Sequence, residues 1–175
     1  MEFLQKGQGD RLVELFLEPT CPFSAKAYGK IDDLLDASDG TLTVRLWLHS
    51  QPWHLVSPVV CRCVVAAWVE HGQQAAWTVL TAVFDHQKHY AFRDHATGPN
   101  RAASIDDLIA RLERHAGLEL AQAFDRPELA DTIKAHTKYA RQNGIHASPS
   151  VLVDGFLRDD IESGDSVAEW LRKIW

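Results

Sequence analysis

The sequence predicts an α/β fold, on three observations. Strand-like segments lie towards both ends of the 175-residue chain and helical ones between them. The first two strand-like segments flank a helical stretch, a βαβ unit of ordinary length. Near the C-terminus two short apolar segments meet at an Asp-Gly pair, the strongest short-range hairpin signal. The outline is β-α-β, a helical block, then β-β-α.

In order, Leu12–Leu17 is an apolar run of strand length. From Ala25 to Leu35, the residues Ala27, Ile31, Leu34 and Leu35 recur at helical spacing. Thr41–Leu48 mixes branched and aromatic residues with polar ones and reads as the second strand. Val59, Val60, Cys63, Val64, Ala67 and Trp68 predict a helix ending near His71-Gly72, and Ala76, Leu80, Val83 and Phe84 predict a second from about Gln74. Gly98-Pro99-Asn100 breaks the chain. Ser104, with Asp107 three residues on, is a capping box ahead of Ile105, Leu108, Ile109 and Leu112. Leu118–Phe124 is a short helical piece, and Pro127 opens a helix through Leu129, Ile133 and Ala140 that Asn143-Gly144 stops. Val151–Leu157 forms the hairpin around Asp154-Gly155, and Ser166 caps a final helix through Val167, Trp170, Leu171 and Ile174.

Composition narrows the class. Hydrophobic residues at 46% and charged ones at 24% are ordinary for a globular chain. A net charge of −6 with scattered Lys and Arg argues against nucleic acid as a partner. No apolar run approaches the ~20 residues of a membrane-spanning helix. Three cysteines leave an odd one over and suggest no disulfide framework. With no secretory signal pattern at the N-terminus, the expected setting is the cytoplasm.

The chemistry concentrates at Cys21-Pro22-Phe23-Ser24, where the first strand hands over to a helix. Free N–H groups and the positive end of the dipole at a helix N-terminus favour a thiolate over a thiol. Pro22 suits the first helical position, since the N–H it lacks would have had no intrahelical partner. Ser24 falls on the same helical face as Cys21, within reach of its sulfur. A second stretch, Ile145-His146-Ala147-Ser148-Pro149-Ser150-Val151, sets a proline just before the hairpin.

With these two motifs in this order, the chain resembles the DsbA-like family: a thioredoxin fold with an inserted helical subdomain. The resemblance runs from about Leu12 to Trp175. It implies a thioredoxin-like domain of residues 1–57 and 144–175, a helical insertion of residues 58–143, and a cis bond into Pro149 beside which Ser148 offers a backbone edge to an extended peptide. The family's oxidoreductases carry Cys-x-x-Cys; here the fourth position is Ser24. The family's buried acid on the first strand would fall at Leu15, and Glu14, one residue off, points to the opposite side.

These residues imply thiol–disulfide exchange or isomerisation through Cys21. Ser24 is expected to donate a hydrogen bond to the thiolate, and an outside thiol such as glutathione to release the mixed disulfide. The expected partner is a disulfide-containing peptide or glutathione, with no tightly bound cofactor and no metal. The related kappa-class glutathione transferases and hydroxychromene carboxylate isomerases, with serine where Cys21 stands, are the alternative enzymes; a redox-inert peptide-binding module is the non-enzymatic one. Expected substrate contacts are Pro22, Phe23, Trp53, His54, Ser148 and Pro149, Trp53 and His54 because they follow the second strand, whose carboxyl end borders the crevice of an open sheet. His49 belongs to the same loop.

Other residues read as structural. Cys61 and Cys63, two apart on one helix, point to nearly opposite sides and are expected in a helix interface. His86 and His89, with Asp85 and His95 nearby, fall short of a tetrahedral ligand set and read as a solvated helix face. Trp47, Trp68, Trp77 and Trp170 occupy periodic core positions.

Overall fold

The computed structural model describes residues 3–175. Its one sheet has five strands: β1 (Leu4–Gly7), β2 (Arg11–Leu17), β3 (Leu42–Leu48), β4 (Ser150–Val153) and β5 (Phe156–Leu157). Their spatial order is β1-β3-β2-β4-β5, with β2 and β3 parallel and every other pairing antiparallel. This is the predicted α/β fold with one strand more at its start. The Leu4-Gln5-Lys6-Gly7 segment has a single large apolar residue, so nothing in its own pattern announces a strand; pairing with β3 makes it one. The turn from β1 to β2 lies hard against β3: a Cβ on Gly9 would stand 1.9 Å from the Thr41 carbonyl carbon, so only glycine fits.

After β2 come α1 (Pro22–Tyr28) and α2 (Ile31–Ala37). The helical spacing predicted one run here. The structure divides it at Gly29-Lys30, where the Lys30 N–H turns back to the Ala27 carbonyl in a tight i→i+3 bond. Between β3 and β4 lie α3 (Ser57–His71), α4 (Gln73–Asp85), α5 (Ile105–Ala116), α6 (Ala121–Phe124) and α7 (Leu129–Gln142), with short 3₁₀ turns at 87–89 and 99–102; α8 (Val167–Ile174) closes the chain. Both serine caps form in full: Ser104 accepts from the Asp107 N–H and Ser166 from the Glu169 N–H, each acid returning the bond. At the hairpin Asp154 and Gly155 both take positive φ, 49° and 83°, as a two-residue I′ turn requires.

The strands bury both faces. Val13, Leu15 and Leu17 of β2, with Val44, Leu46 and Leu48 of β3, join a core shared with α1–α5 and α8. On the other face Phe16, Trp47 and Leu152 pack against Ala140 and Ile145 at the end of α7. Glu14 belongs to that second face, where its carboxyl accepts bonds from Trp47 Nε1 (2.9 Å) and the Tyr139 hydroxyl (3.1 Å). Trp47, Trp77 and Trp170 are buried and Trp68 packs against the core.

Candidate active site

The carboxyl ends of β2 and β3 and the start of β4 converge on Cys21. Cys21 is the N-cap of α1, in extended backbone (φ −88°, ψ 128°), and Pro22 is the first helical residue. The Cys21 N–H bonds back to the Glu18 carbonyl and its own carbonyl accepts the Ala25 N–H, closing the first helical turn. Its Sγ faces the Ser148 carbonyl oxygen at 3.9 Å, and the Ser148–Pro149 bond is cis. Cys21 keeps 6% of its surface in contact with solvent.

Ser24 departs from expectation. It is fully buried, and its Oγ accepts the Glu18 N–H at 3.1 Å; among the described residues it makes no hydrogen bond to Cys21 Sγ. The motif's fourth position thus ties α1 to the end of β2 instead of cradling the sulfur.

The remaining expected contacts divide between two clefts flanking the motif. One, of about 300 Å³, is bordered by Thr20 and Pro22 and walled by Trp53, His54, Leu55, Tyr90 and Phe92. The other, of about 500 Å³, holds Phe23, Ser148 and Pro149, with Lys26 and Arg158 at its sides. Phe23 and Trp53 are half exposed, at 56% and 49%. His49 sits where the strands end: its Nδ1 lies 3.0 Å from Ser148 Oγ, and burial holds its pKa below the ordinary 6.5.

Sequence reasoning missed Glu18 and Thr20. Glu18 is fully buried beneath the motif. One carboxyl oxygen accepts from the Thr20 N–H and hydroxyl, both at 2.9 Å; the other accepts from the Gln51 N–H at 2.7 Å and the Ser57 hydroxyl at 2.6 Å. Those four bonds knit together β2, the loop after β3 and the start of α3. The available signal was an acid ending an apolar strand three residues before the cysteine.

Cys61 and Cys63 lie in α3, each 1% exposed. Burial pushes the Cys61 thiol well above its ordinary range and the Cys63 thiol up to about 12. All three cysteines are free. His86 and His89 meet His115 from α5, with ring centroids 4.0 and 5.4 Å from it, whereas His95 stands against His54 at 5.3 Å. Among the described residues no group of three or more His, Cys, Asp or Glu side chains is arranged to hold a metal.

Comparison with known proteins decides the family. The family model described as thioredoxin matches residues 8–173. The chain belongs to the thioredoxin family. This thioredoxin-family chain is 50% identical to a provisionally named protein-disulfide isomerase from Pseudomonas syringae, over 98% of its own length and 97% of the other, with a TM-score of 0.95. Its fold also matches DsbA2 of Pseudomonas aeruginosa (18% identity, 98% and 90% covered, TM-score 0.67) and BdbD of Bacillus subtilis (14%, 98% and 90%, 0.71). No curated protein matches it. The chain thus has the thioredoxin-like fold of disulfide oxidoreductases and isomerases.

Proposed function

We propose that this chain carries out thiol–disulfide exchange through Cys21 alone, with an external thiol such as glutathione completing the cycle. The observation that carries this reading is the contrast among the cysteines. Cys21 caps a helix at the sheet's carboxyl edge between two clefts, while Cys61 and Cys63 are sealed in α3 with thiols that burial keeps protonated. Ser24 has no sulfur to offer.

In the first step the Cys21 thiolate attacks one sulfur of the partner disulfide; a mixed disulfide forms and the other sulfur leaves as a thiolate. In the second an outside thiolate attacks the partner's sulfur in that mixed disulfide and Cys21 leaves as thiolate. The products are one free substrate thiolate and a new disulfide between the outside thiol and the substrate's other sulfur. A second outside thiol resolves that disulfide to complete a two-electron reduction; no net electrons pass if a different thiolate of the substrate makes the second attack, which is isomerisation. Phe23 and Trp53 offer apolar contacts on either side, and Ser148 lies beside the reacting sulfur. No resident cofactor enters this scheme.

The test is intact-mass analysis after incubation with oxidised glutathione. One glutathione is expected, mapped to Cys21 and absent from Cys21→Ser. No addition, or addition at Cys61 or Cys63, would overturn the reading.

A further inference from the structure

A single-cysteine exchange enzyme faces a difficulty at its second step: the outside thiol arrives protonated. A free thiol has a pKa of ~8.5, so at neutral pH only a few per cent is the reactive thiolate. We propose that the cleft beside Pro22 seats this outside thiol and that His54 is the general base that ionises it. The inference rests on Cys21 working as proposed above, and it assigns to His54 a task that Ser24 cannot perform.

The hydrogen bonds fix which nitrogen of His54 is basic. Thr20 Oγ1 lies 2.9 Å from Glu18 Oε1 and 2.9 Å from His54 Nδ1. A hydroxyl has one proton to give. Thr20 donates it to the Glu18 carboxyl, so its oxygen accepts from His54, and Nδ1 carries the imidazole proton. That leaves Nε2 bare. Among the described residues Nε2 makes no hydrogen bond, and His54 lines the cleft that Thr20 and Pro22, the neighbours of Cys21, border. Glu18 and Thr20 are thus positioning residues: a fully buried acid holds a hydroxyl, and the hydroxyl holds the tautomer and ring of His54.

Gln87 also lines the cleft. With the apolar wall of Trp53, Leu55 and Phe92 and the cation of Lys88 at the rim, the cleft suits a small, carboxylate-bearing thiol of the glutathione type.

Burial favours the neutral, basic form of His54. Burial lowers its pKa from 6.5 and His95 lowers it further, against the opposing pull of Glu18; Lys88 and Asp94 complete the charged lining. In the step, the thiol's S–H bond breaks and its proton goes to His54 Nε2. The new thiolate bonds to the partner's sulfur in the mixed disulfide while the bond to Cys21 breaks, its electron pair leaving on Cys21 Sγ. The imidazolium then returns its proton to water.

The experiment loads Cys21 with oxidised glutathione, adds reduced glutathione, and follows loss of the adduct by intact mass across pH. His54→Gln should slow release by up to about 30-fold at neutral pH, the factor between a fully ionised thiol and one left to its own pKa of ~8.5. The deficit should fade as pH rises beyond the thiol's own ~8.5, where the nucleophile is already ionised. Thr20→Val should give a smaller deficit that fades in the same way. A His54→Gln deficit of the same size at every pH, or no deficit at all, overturns the proposal while leaving exchange at Cys21 intact. Failure of the unaltered protein to take up glutathione overturns both.

Discussion

The Ser24 hydroxyl oxygen accepts the backbone N–H of Glu18 at 3.1 Å, across the turn that carries Cys21. The serine that fills the second-cysteine position is therefore a structural fastener. Ser24→Ala leaves a buried N–H without a partner and should cost about 1–3 kcal/mol, read from urea denaturation. A loss under a few tenths would show that the bond is not needed.

Ser24→Cys supplies a second sulfur at the same position. The expected outcome is loss of the stable glutathione adduct and formation of a bond between the two motif sulfurs, seen as a protein inert to alkylation after oxidation. Persistence of the adduct would mean that the turn holds position 24 away from position 21.

Tyr139 donates its hydroxyl to both oxygens of Glu14, and burial together with that acid raises its pKa above the ordinary 10.0. Tyr139→Phe should destabilise the protein by about 1.5–3 kcal/mol, the range for a bond to a charged group. It should leave glutathione uptake at Cys21 untouched, because Glu14 lies on the face of the sheet covered by α7.

His49, His54 and His115 all have pKa values held below 6.5, by burial first in each case. A base whose folded pKa is depressed binds fewer protons folded than unfolded. Its contribution to stability is therefore full above ~6.5 and is lost as pH falls from there through the folded value. The melting temperature should drop between pH 8 and pH 5.5, and His49→Gln should flatten part of the drop. A melting temperature that rises on acidification contradicts this.

The serine caps of α5 and α8 should each contribute about 1 kcal/mol. Ser104→Ala and Ser166→Ala lie on separate helices, so the double variant should show the sum of the two losses to within about 0.5 kcal/mol in denaturation.

What the sequence disclosed was whatever local chemistry determines. Ser104 and Ser166 cap because a hydroxyl reaches three residues ahead, and Asp154-Gly155 turns because both tolerate positive φ. Cys21 caps α1 because Pro22 follows it. The strand β1 was illegible because its reason for existing lies in β3, some 40 residues away. The break at Gly29-Lys30 escaped notice because apolar periodicity continues across it. At the site, Cys21, Pro22 and Pro149 could be read from motifs. The bond between Ser24 and Glu18 could not, because spacing shows which residues share a face but not which atom is nearer. Nor could the chain from Glu18 through Thr20 to His54, which joins residues 34 apart.

The sheet ends at β5 in a strand of two residues, Phe156 and Leu157, 75% and 42% exposed. So brief a border presents too few free backbone groups to template a neighbouring chain. The protein can therefore leave greasy side chains in water on that flank without inviting fibrous self-association.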